Sequence, residues 1–261
     1  MRFIHGLEII DSQPRANRSG KTWRRLQRAT YETLNQTRRV IGTTSRVVGV
    51  VRQVNPELRT EVVPVCVDPA AHPLLDGSAS PAVGVVALPD TGWSNRAVDR
   101  IAQELWPRIR ESVPEAGLVV ACEGDVSGIG SRFETPGVES CSVAEGHANF
   151  FGRVDVLLCP SERASGYKLT VLEAMAHGRA VVSNTVGLEG ITDRPQMVVM
   201  ADDNDEELVA RTVELLANPD LRSEQARDGR DLVESVYAPL PAVDRLEAAH
   251  ERLGLGVRVE R

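Results

Sequence analysis

A lysine and a glutamate at the start of one predicted helix are the residues of this sequence whose types and spacing best suit a chemical task. Lys168 lies just before or within the first helical turn, and Glu173 lies about one turn further in. A helix N-terminus attracts phosphate through its free N–H groups and its dipole, and the Lys168 ammonium adds to that attraction. A carboxylate at the depth of Glu173 can accept both hydroxyl groups of a ribose. The pair therefore predicts a binding site for a nucleoside diphosphate.

The segments around this pair predict one strand–helix–strand unit. An apolar run too short for a helix comes first, and the apolar residues after it recur at helical spacing. A glycine, which tolerates the left-handed conformation after a helix end, follows the last helical residues. In open α/β sheets, ligands bind outside the carboxyl ends of the strands, where the lysine lies. The predicted elements are a strand at Val154–Cys159, a helix at Leu169–Ala176 ended by His177 and Gly178, and a strand at Ala180–Ser183.

The stretch PSERASGYKLTVLEAMAHGRAVVSNTVGLEGI resembles the donor-site signature of the retaining glycosyltransferases of family 4, which have the GT-B fold. The resemblance implies transfer of a sugar from a nucleotide diphosphate sugar with retention of configuration. It implies no metal ion and no cofactor besides the donor. Lys168 would act as a catalytic residue that stabilises the leaving diphosphate. The donor contacts that the motif implies are Ser165, Gly166, Tyr167, Lys168, Leu169 and Glu173.

One position departs from the commoner family pattern. That pattern has two glutamates eight residues apart, of which the second corresponds to Glu173. The first corresponds to Ser165 in this sequence. In the family the first glutamate helps to hold the donor sugar. A subgroup of the family carries a small residue there together with a basic residue at the place of Lys168, as this sequence does.

Four more residues are candidates: His5 is a candidate catalytic residue, and Asp90, Asn95 and Glu189 are possible donor-side contacts. His5 ends a predicted N-terminal strand, and in the family a His-Gly or His-Asp pair at such a place faces the donor sugar; the alternative is a histidine in a frayed terminus. Asp90 and Asn95 lie in PDTGWSNRAV, which resembles the subgroup's D-W-x-x-N-x-x-A loop, although both also suit helix caps. Glu189 follows the strand Ala180–Ser183 at the same crevice edge.

The central residues also have ordinary interpretations. Glu173 suits a solvated helix face, and Lys168 suits a protein surface. Ser165 and Gly166 are expected to shape the loop, since a serine nucleophile needs a positioned base and His177 lies at the far end of the helix. There, His177 is predicted to cap the helix C-terminus.

Charge is unevenly distributed along the 261 residues, whose formal net charge is −7. Residues 1–60 hold 12 Lys or Arg against 4 Asp or Glu, and the rest hold 18 against 33. The basic segment 15–28 predicts contact with an anionic membrane surface or a lipid-phosphate acceptor; a solvated helix face is the alternative. Nucleic acid is excluded as a partner because the whole chain is acidic and no aromatic platform accompanies the arginines.

The expected location is the cytoplasm. No apolar run approaches the length of a membrane span, and residues 1–20 lack the apolar block of a signal peptide. Four widely spaced cysteines without a CxxC pattern indicate reduced thiols, three of them in apolar strand-like runs. The protein would lie at the inner face of the membrane if the basic segment binds lipid. The acceptor is expected to be a glycan or a lipid.

The predicted fold class is α/β and GT-B-like. Residues 1–68 are predicted to form an incomplete N-terminal, acceptor-side Rossmann-like domain, and residues 69–81 a linker. Residues 82–240 are predicted to form a C-terminal nucleotide-sugar-binding domain with a Rossmann-like parallel sheet. Residues 241–261 are predicted to form a terminal helix that crosses back to the first domain, followed by a tail. In the family, an opening strand and a glycine-rich loop precede the part represented here. The resemblance therefore implies an N-terminally shortened form or a chain that another polypeptide completes.

The remaining elements follow from hydrophobic periodicity and capping residues. Ser45 is the predicted N-cap of its helix. Val138 and Val143 are the only strand residues expected between 127 and 145. The predicted strands are Arg2–Ile4, Val40–Thr44, Glu61–Val67, Ala82–Leu88 and Leu118–Cys122, and the predicted helices are Trp23–Thr37, Ser45–Gln53, Val98–Ile109, Asp205–Ala217, Leu221–Val236 and Ala242–Leu253.

Three hypotheses follow for function. The first is a retaining glycosyltransferase that uses a UDP-, GDP- or ADP-sugar. The second, of another class, is a non-catalytic shortened homologue that serves as a partner subunit; donor hydrolysis or transfer by the purified chain would exclude it. The third is a nucleotide-sugar epimerase with the same fold, which product analysis without an acceptor distinguishes.

Overall fold

The computed structural model of the chain describes residues 2–4, 20–78, 80–87, 97–122, 137–143, 146–161, 168–191, 199–200 and 204–254. Every strand pairing within them is parallel, and helices alternate with strands along much of the chain. The predicted α/β fold class is therefore confirmed. The chain forms two compact units, unit 1 (Met1–Cys66 and Pro239–Arg261) and unit 2 (Val67–Ala164 and Lys168–Ala238). None of the helices in these ranges combines the length and apolar character needed to cross a bilayer.

The strands of the described residues are β1 (Arg2–Ile4), β2 (Arg39–Gly42), β3 (Arg59–Val62), β4 (Ala82–Ala87), β5 (Gly117–Cys122), β6 (Val138–Ser142), β7 (Val156–Cys159), β8 (Ala180–Ser183) and β9 (Val199–Met200). The helices are α1 (Gly20–Gln36), α2 (Ser45–Val54), α3 (97–112, with a π-helical turn at Ile101–Leu105), α4 (His147–Phe151), α5 (Leu169–Ala176), α6 (Asp205–Ala217), α7 (Pro219–Leu232, continued by a π-helical turn at Val233–Tyr237) and α8 (Pro239–Arg252). A short 3₁₀ turn lies at Pro69–Ala71.

Unit 1 is built on a small parallel sheet with the strand order β1-β2-β3. Neighbouring residues of a strand point to opposite faces of the sheet, so Val40 and Ile41 of β2 enter different cores. Val40 packs with Leu34 of α1 and Val51 of α2, whereas Ile41 packs with Ala249 of α8. Helices therefore cover both faces of this sheet.

Unit 2 contains a six-stranded parallel sheet with the order β6-β5-β4-β7-β8-β9. Its first strand in sequence, β4, lies in the middle, and the chain winds outward from it in both directions, as in doubly wound Rossmann-like folds. The winding reverses between β4 and β7, so a crevice is expected outside the carboxyl ends of these two strands. Strands covered on both faces are continuously apolar, and most residues of β4, β5, β7 and β8 are buried. Trp106 of α3 is fully buried in the same core.

The strand predicted at Glu61–Val67 lies earlier in the structure and is shorter. β3 ends at Val62, and Pro64, which has no N–H group to donate to a neighbouring strand, follows two residues later. Cys66 therefore lies outside the sheet and is exposed, against the expectation of a strand thiol, whereas Cys122 is buried in β5. None of the four cysteines, all of which the structure describes, is disulfide-bonded.

The cap of α2 and the starts of α7 and α8 differ from the prediction. The hydroxyl of Thr44, and not Ser45, caps α2 by accepting the Val47 N–H at 3.1 Å. The Asn218 side chain caps α7, which has a proline in its first turn. Helix α8 also begins at a proline. The apolar pattern alone placed the starts of α7 and α8 a few residues too late.

Strand β7 begins at Val156, two residues later than the apolar run from Val154 predicted. The residue between them, Asp155, uses its side chain to bind the segment at the start of β4. The Asp155 carboxylate accepts hydrogen bonds from the Ala82 N–H at 3.0 Å and the Ser78 N–H at 3.2 Å. Helix α4 and strand β9 were not predicted, since five and two residues are too few to show a periodicity. Val143 lies just beyond β6 rather than in it.

Candidate functional site

The predicted site residues that the structure describes lie around the carboxyl ends of the central strands of unit 2. Strands β4 and β7 pair directly and end at Ala87 and Cys159. Lys168, Leu169 and Glu173 follow β7, and Glu189 follows β8. The residues that lie outside the described ranges, and whose roles stay predictions, are His5, Asp90, Asn95, Ser165, Gly166 and Tyr167.

Lys168 lies at the N-cap position of α5 and near the end of β7. Its backbone is extended, with φ −92° and ψ 91°, and its side chain makes no capping hydrogen bond. Burial raises the pKa of the Cys159 thiol to about 11, and the positive charge of Lys168 opposes part of that rise. The ammonium is thus close enough to the last residue of β7 to act on it. A half-buried cation at a helix start is suited to binding an anion.

Glu173 lies in the second turn of α5, beside a histidine that no sequence motif indicated. Oε2 of Glu173 lies 2.6 Å from Nδ1 of His147, with side-chain exposures of 19% and 29%. The orientation is not that of a hydrogen bond, so Oε2 has no hydrogen-bond partner among the described residues. The carboxylate therefore keeps its capacity to accept hydroxyl donors. Lys168 and Glu173 thus have different neighbours: Lys168 lies near Cys159 at the end of β7, and Glu173 lies beside His147 of α4.

The other two described candidates lie on the rims of the same region. Leu169 is 49% exposed, although it begins a helix whose other apolar residues are almost all buried. Glu189 is half-buried in the turn that follows β8. The Tyr237 hydroxyl donates to the Ile191 carbonyl and thereby holds the end of that turn. Donor contacts by Leu169 and Glu189 stay predictions.

Ser183 and Asn184, which no sequence motif indicated, join the carboxyl ends of β7 and β8. The Ser183 hydroxyl donates to the Cys159 carbonyl at 2.6 Å. The buried Asn184 side chain donates to the Ser161 carbonyl at 2.8 Å and accepts the N–H groups of Ser161 at 3.0 Å and Gly187 at 2.8 Å. A Cβ on Gly187 would collide with the Ser183 hydroxyl and lie 2.6 Å from the Cys159 carbonyl oxygen. The sequence signal available for these two residues was a pair of polar residues at the end of an apolar strand.

The C-terminal end of α5 is closed by His177 and Gly178, as predicted. The His177 N–H donates to the Glu173 carbonyl at 2.9 Å, and Gly178 has a left-handed φ of 70°. The buried His177 ring places Nδ1 2.9 Å from the Pro73 carbonyl oxygen. Burial lowers the pKa of His177, so the ring is neutral at neutral pH. Its role is therefore structural.

Arg230 of α7 binds the same end of α5 to the segment that precedes β4. Its guanidinium donates to the carbonyls of His72 at 2.7 Å, Pro69 at 3.2 Å and Ala176. It also pairs with Glu234 at 2.5 Å. One arginine thus satisfies three carbonyl groups that belong to two different segments.

Unit 1 has an open depression of about 400 Å³ beside α2 and β3, which no sequence motif indicated. Its charged lining residues are already engaged within the unit. Arg52 donates to the Thr60 hydroxyl at 2.7 Å, and Glu61 pairs with Arg252 at 2.8 Å. A phosphate there would have to displace these partners. In the part of the chain that the structure describes, no three His, Cys, Asp or Glu side chains gather to hold a metal ion.

A doubly wound parallel sheet with a cation at a strand–helix junction and a carboxylate one turn deeper has the architecture of a nucleotide-binding domain. The sequence profile of the family Glycosyl transferases group 1 matches residues 83–218, which is more than half of the chain. The chain belongs to this family. The resemblance drawn from the motif is thereby confirmed at the level of the family and its GT-B fold. None of the curated proteins compared with the chain matches it.

Solved glycosyltransferase structures are similar to the chain in fold. TarM of S. aureus superposes with a TM-score of 0.74 at 14% identity, over 96% of this chain and 49% of TarM. The sucrose-phosphate synthase of Thermosynechococcus elongatus gives 0.72 at 16% identity, over 98% and 68%. HepE of Anabaena, solved in complex with UDP and glucose, gives 0.69 at 13% identity, over 88% and 67%. The chain spans about half the length of TarM.

Proposed function

We propose that this chain transfers a sugar from a nucleoside diphosphate sugar to an acceptor, with retention of configuration. Membership of the family Glycosyl transferases group 1 supports the transfer. The observation that carries the proposal is the position of Lys168. This half-buried cation lies at the start of α5 and next to the end of β7. Strand β7 is one of the two strands between which the winding of the sheet reverses. HepE was solved with UDP and a TarM variant was solved with UDP, which makes UDP the first nucleotide to test.

In the proposed reaction, Lys168 and the N-terminal N–H groups of α5 stabilise the negative charge that develops on the leaving diphosphate. Such fixed donors contribute most where charge appears in the transition state. Glu173 accepts the ribose hydroxyls and thereby sets how deeply the nucleotide enters. The proposal includes His5 as a contact of the donor sugar. It requires no metal ion, because the lysine and the helix dipole supply positive charge at the phosphates.

The proposed acceptor is a glycan or a lipid, and the proposed location is the cytoplasm, at the membrane's inner face for a lipid acceptor. Contact with an anionic membrane would involve the basic segment 15–28. Arg25 and Arg28 are exposed, and Arg28 pairs with Glu32 at 3.1 Å. Exposed ion pairs are weak, so an anionic surface can compete with Glu32 for Arg28.

Calorimetric titration of the full chain with UDP, GDP and ADP tests the donor site. Lys168→Ala and Glu173→Ala each remove a charged hydrogen-bonding partner, for which we expect a loss of affinity of roughly tenfold to a hundredfold. Arg211→Ala and Glu214→Ala are matched controls, since these residues form an exposed pair with each other at 2.8 Å on α6. The controls are expected to bind like the wild-type chain. Unchanged affinity in both site variants would contradict the assignment.

Product analysis distinguishes the proposed reaction from the two rivals. The anomeric configuration of the transferred or hydrolysed sugar, followed by NMR, is expected to match that of the donor. Nucleotide binding without transfer or hydrolysis would instead support a non-catalytic partner subunit. An epimerised sugar formed without acceptor would support an epimerase.

A further inference from the structure

The contact between His147 and Glu173 joins two helices at the carboxylate expected to bind ribose. Nδ1 and Oε2 are 2.6 Å apart, yet their orientation leaves Oε2 without a hydrogen bond from any described residue. A buried acceptor without a donor is costly. The imidazole nitrogen is within hydrogen-bonding distance of this oxygen, so reorientation of the ring is the shortest way to supply the missing donor.

The position of His147 is set by the packing of α4. Its ring meets Phe151 edge to face, with centroids 6.2 Å apart and an interplanar angle of 82°. Phe150 of the same helix packs on Gly84 of β4, where an added Cβ would lie 2.7 Å from Phe150 Cζ. Both phenylalanines are fully buried. Helix α4 is thus seated on one of the two strands that border the expected crevice, and its first residue is held against α5.

We propose that His147 is a positioning residue for nucleotide binding: its Nδ1–H holds Oε2 of Glu173, and the carboxylate thereby presents Oε1 to the ribose hydroxyls. A carboxylate has about four lone-pair sites, so one imidazole N–H leaves acceptors for both hydroxyls. The inference rests on the proposed function, because that function assigns ribose to Glu173. His147 acts through Glu173 and need not touch the ligand.

Two substitutions separate the hydrogen bond from the packing. His147→Leu keeps an apolar side chain against Phe151 but removes the donor, whereas His147→Asn keeps a side-chain N–H near the position of Nδ1. Binding is measured by calorimetry with UDP, or with GDP or ADP if the wild-type chain selects one of these. We expect the affinity to fall about tenfold in His147→Leu and less than about threefold in His147→Asn. A tenfold loss of affinity corresponds to about 1.4 kcal/mol. Equal losses in both variants would overturn the proposal.

Two further comparisons test whether His147 acts through Glu173 and through ribose. In a Glu173→Ala background, His147→Leu is expected to have no additional effect, as for residues that act as one unit. With the 2′-deoxy form of the same nucleotide, the difference between wild type and His147→Leu is expected to shrink. Independent, additive effects would overturn the proposal. Tighter binding by His147→Leu would also overturn it, because it would mean that the imidazole competes with ribose for the carboxylate.

A measurement without nucleotide separates failure of this inference from failure of the proposed function. NMR of the full chain with ¹⁵N-labelled histidine reports on the His147 ring, whose signals are identified by their loss in His147→Leu. We expect the chemical shifts of these signals to change in Glu173→Gln. They are expected to stay in place in the control Glu214→Gln. No response to Glu173→Gln would overturn the pairing even in a chain that binds nucleotide. A response in a chain that binds no nucleoside diphosphate would overturn the proposed function and the ribose role together.

Discussion

The two ends of α5 are held in opposite ways. At the C-terminal end, Arg230 donates to three backbone carbonyls and the buried His177 ring meets a fourth. At the N-terminal end, Lys168 makes no capping hydrogen bond and Leu169 is 49% exposed. One turn deeper, Glu173 Oε2 has no hydrogen bond from the residues that the structure describes. Backbone carbonyls thus receive side-chain donors at one end, whereas the Glu173 carboxylate keeps an acceptor without a described donor nearer the other end.

Under the proposed function, one short helix serves both stability and binding. Natural proteins depart from ideal local chemistry mainly at functional sites, and the proposed nucleotide site lies at the N-terminal end of α5. Groups that bind a ligand must also be held by rigid surroundings. The closed C-terminal end supplies that rigidity, since it fixes the helix to α7 and to the segment before β4.

Removal of Arg230 is expected to have the largest effect on stability. Arg230→Ala removes the arginine donor from the His72 and Ala176 carbonyls and leaves the Pro69 carbonyl only the His72 N–H, for which we expect a decrease in the free energy of unfolding of roughly 2–4 kcal/mol. Urea denaturation measures it. Arg227→Ala, an exposed arginine on the same helix, is the control and should stay within about 0.5 kcal/mol of wild type. Equal stability of the two variants would mean that Arg230 does not anchor the C-terminal end of α5.

A smaller effect is expected from His177 and depends on pH. Burial lowers the pKa of this histidine below its ordinary value of 6.5. The unfolded chain therefore binds a proton that the folded chain does not, and the free energy of unfolding falls as the pH is lowered through 6.5. One such group contributes a slope of at most about 1.4 kcal/mol per pH unit. The contribution is fully present above pH 6.5.

His177→Asn is the variant that isolates this contribution. It keeps a side-chain N–H near the Pro73 carbonyl but does not titrate. Urea denaturation at pH 7.5 and 5.5 is expected to show a shallower loss of stability in the variant than in wild type. An identical pH dependence in the two proteins would mean that His177 is not held neutral by burial.

The smallest effect is expected at the open end of the helix. Because Leu169 is 49% exposed, Leu169→Ala should change the free energy of unfolding by no more than about 0.5 kcal/mol. Thermal and urea denaturation measure it, and the fully buried Leu172 of the same helix provides a sensitive comparison as Leu172→Ala. A loss above about 1 kcal/mol for Leu169→Ala would show that the N-terminal end is packed after all.

The sequence was sufficient for the elements whose apolar residues repeat. The spacing of Leu169, Leu172 and Met175 predicted α5 with its bounds, and Gly178 predicted its end. The short apolar run at Ala180–Ser183 predicted β8 in full. These elements are set by local pattern, so neighbours elsewhere in the chain were not needed.

Residues whose partners lie on another element could not be predicted in this way. The role of Asn184 depends on Ser161, which only the pairing of β7 with β8 brings close. His147 begins a helix of five residues, and its contact with Glu173 depends on how that helix packs. The motif selected Lys168 and Glu173, but it carried no information on what holds them.

The strand order of unit 2 also determines when the crevice forms during folding. Strands β4 and β7 are neighbours in the sheet, but β5, β6, α3 and α4 lie between them in the chain. Contacts between such distant segments form slowly compared with local ones. A partly folded sheet of β4, β5 and β6 lacks one wall of the crevice. A ligand that recognises only the completed sheet would therefore draw the last strands into place by mass action.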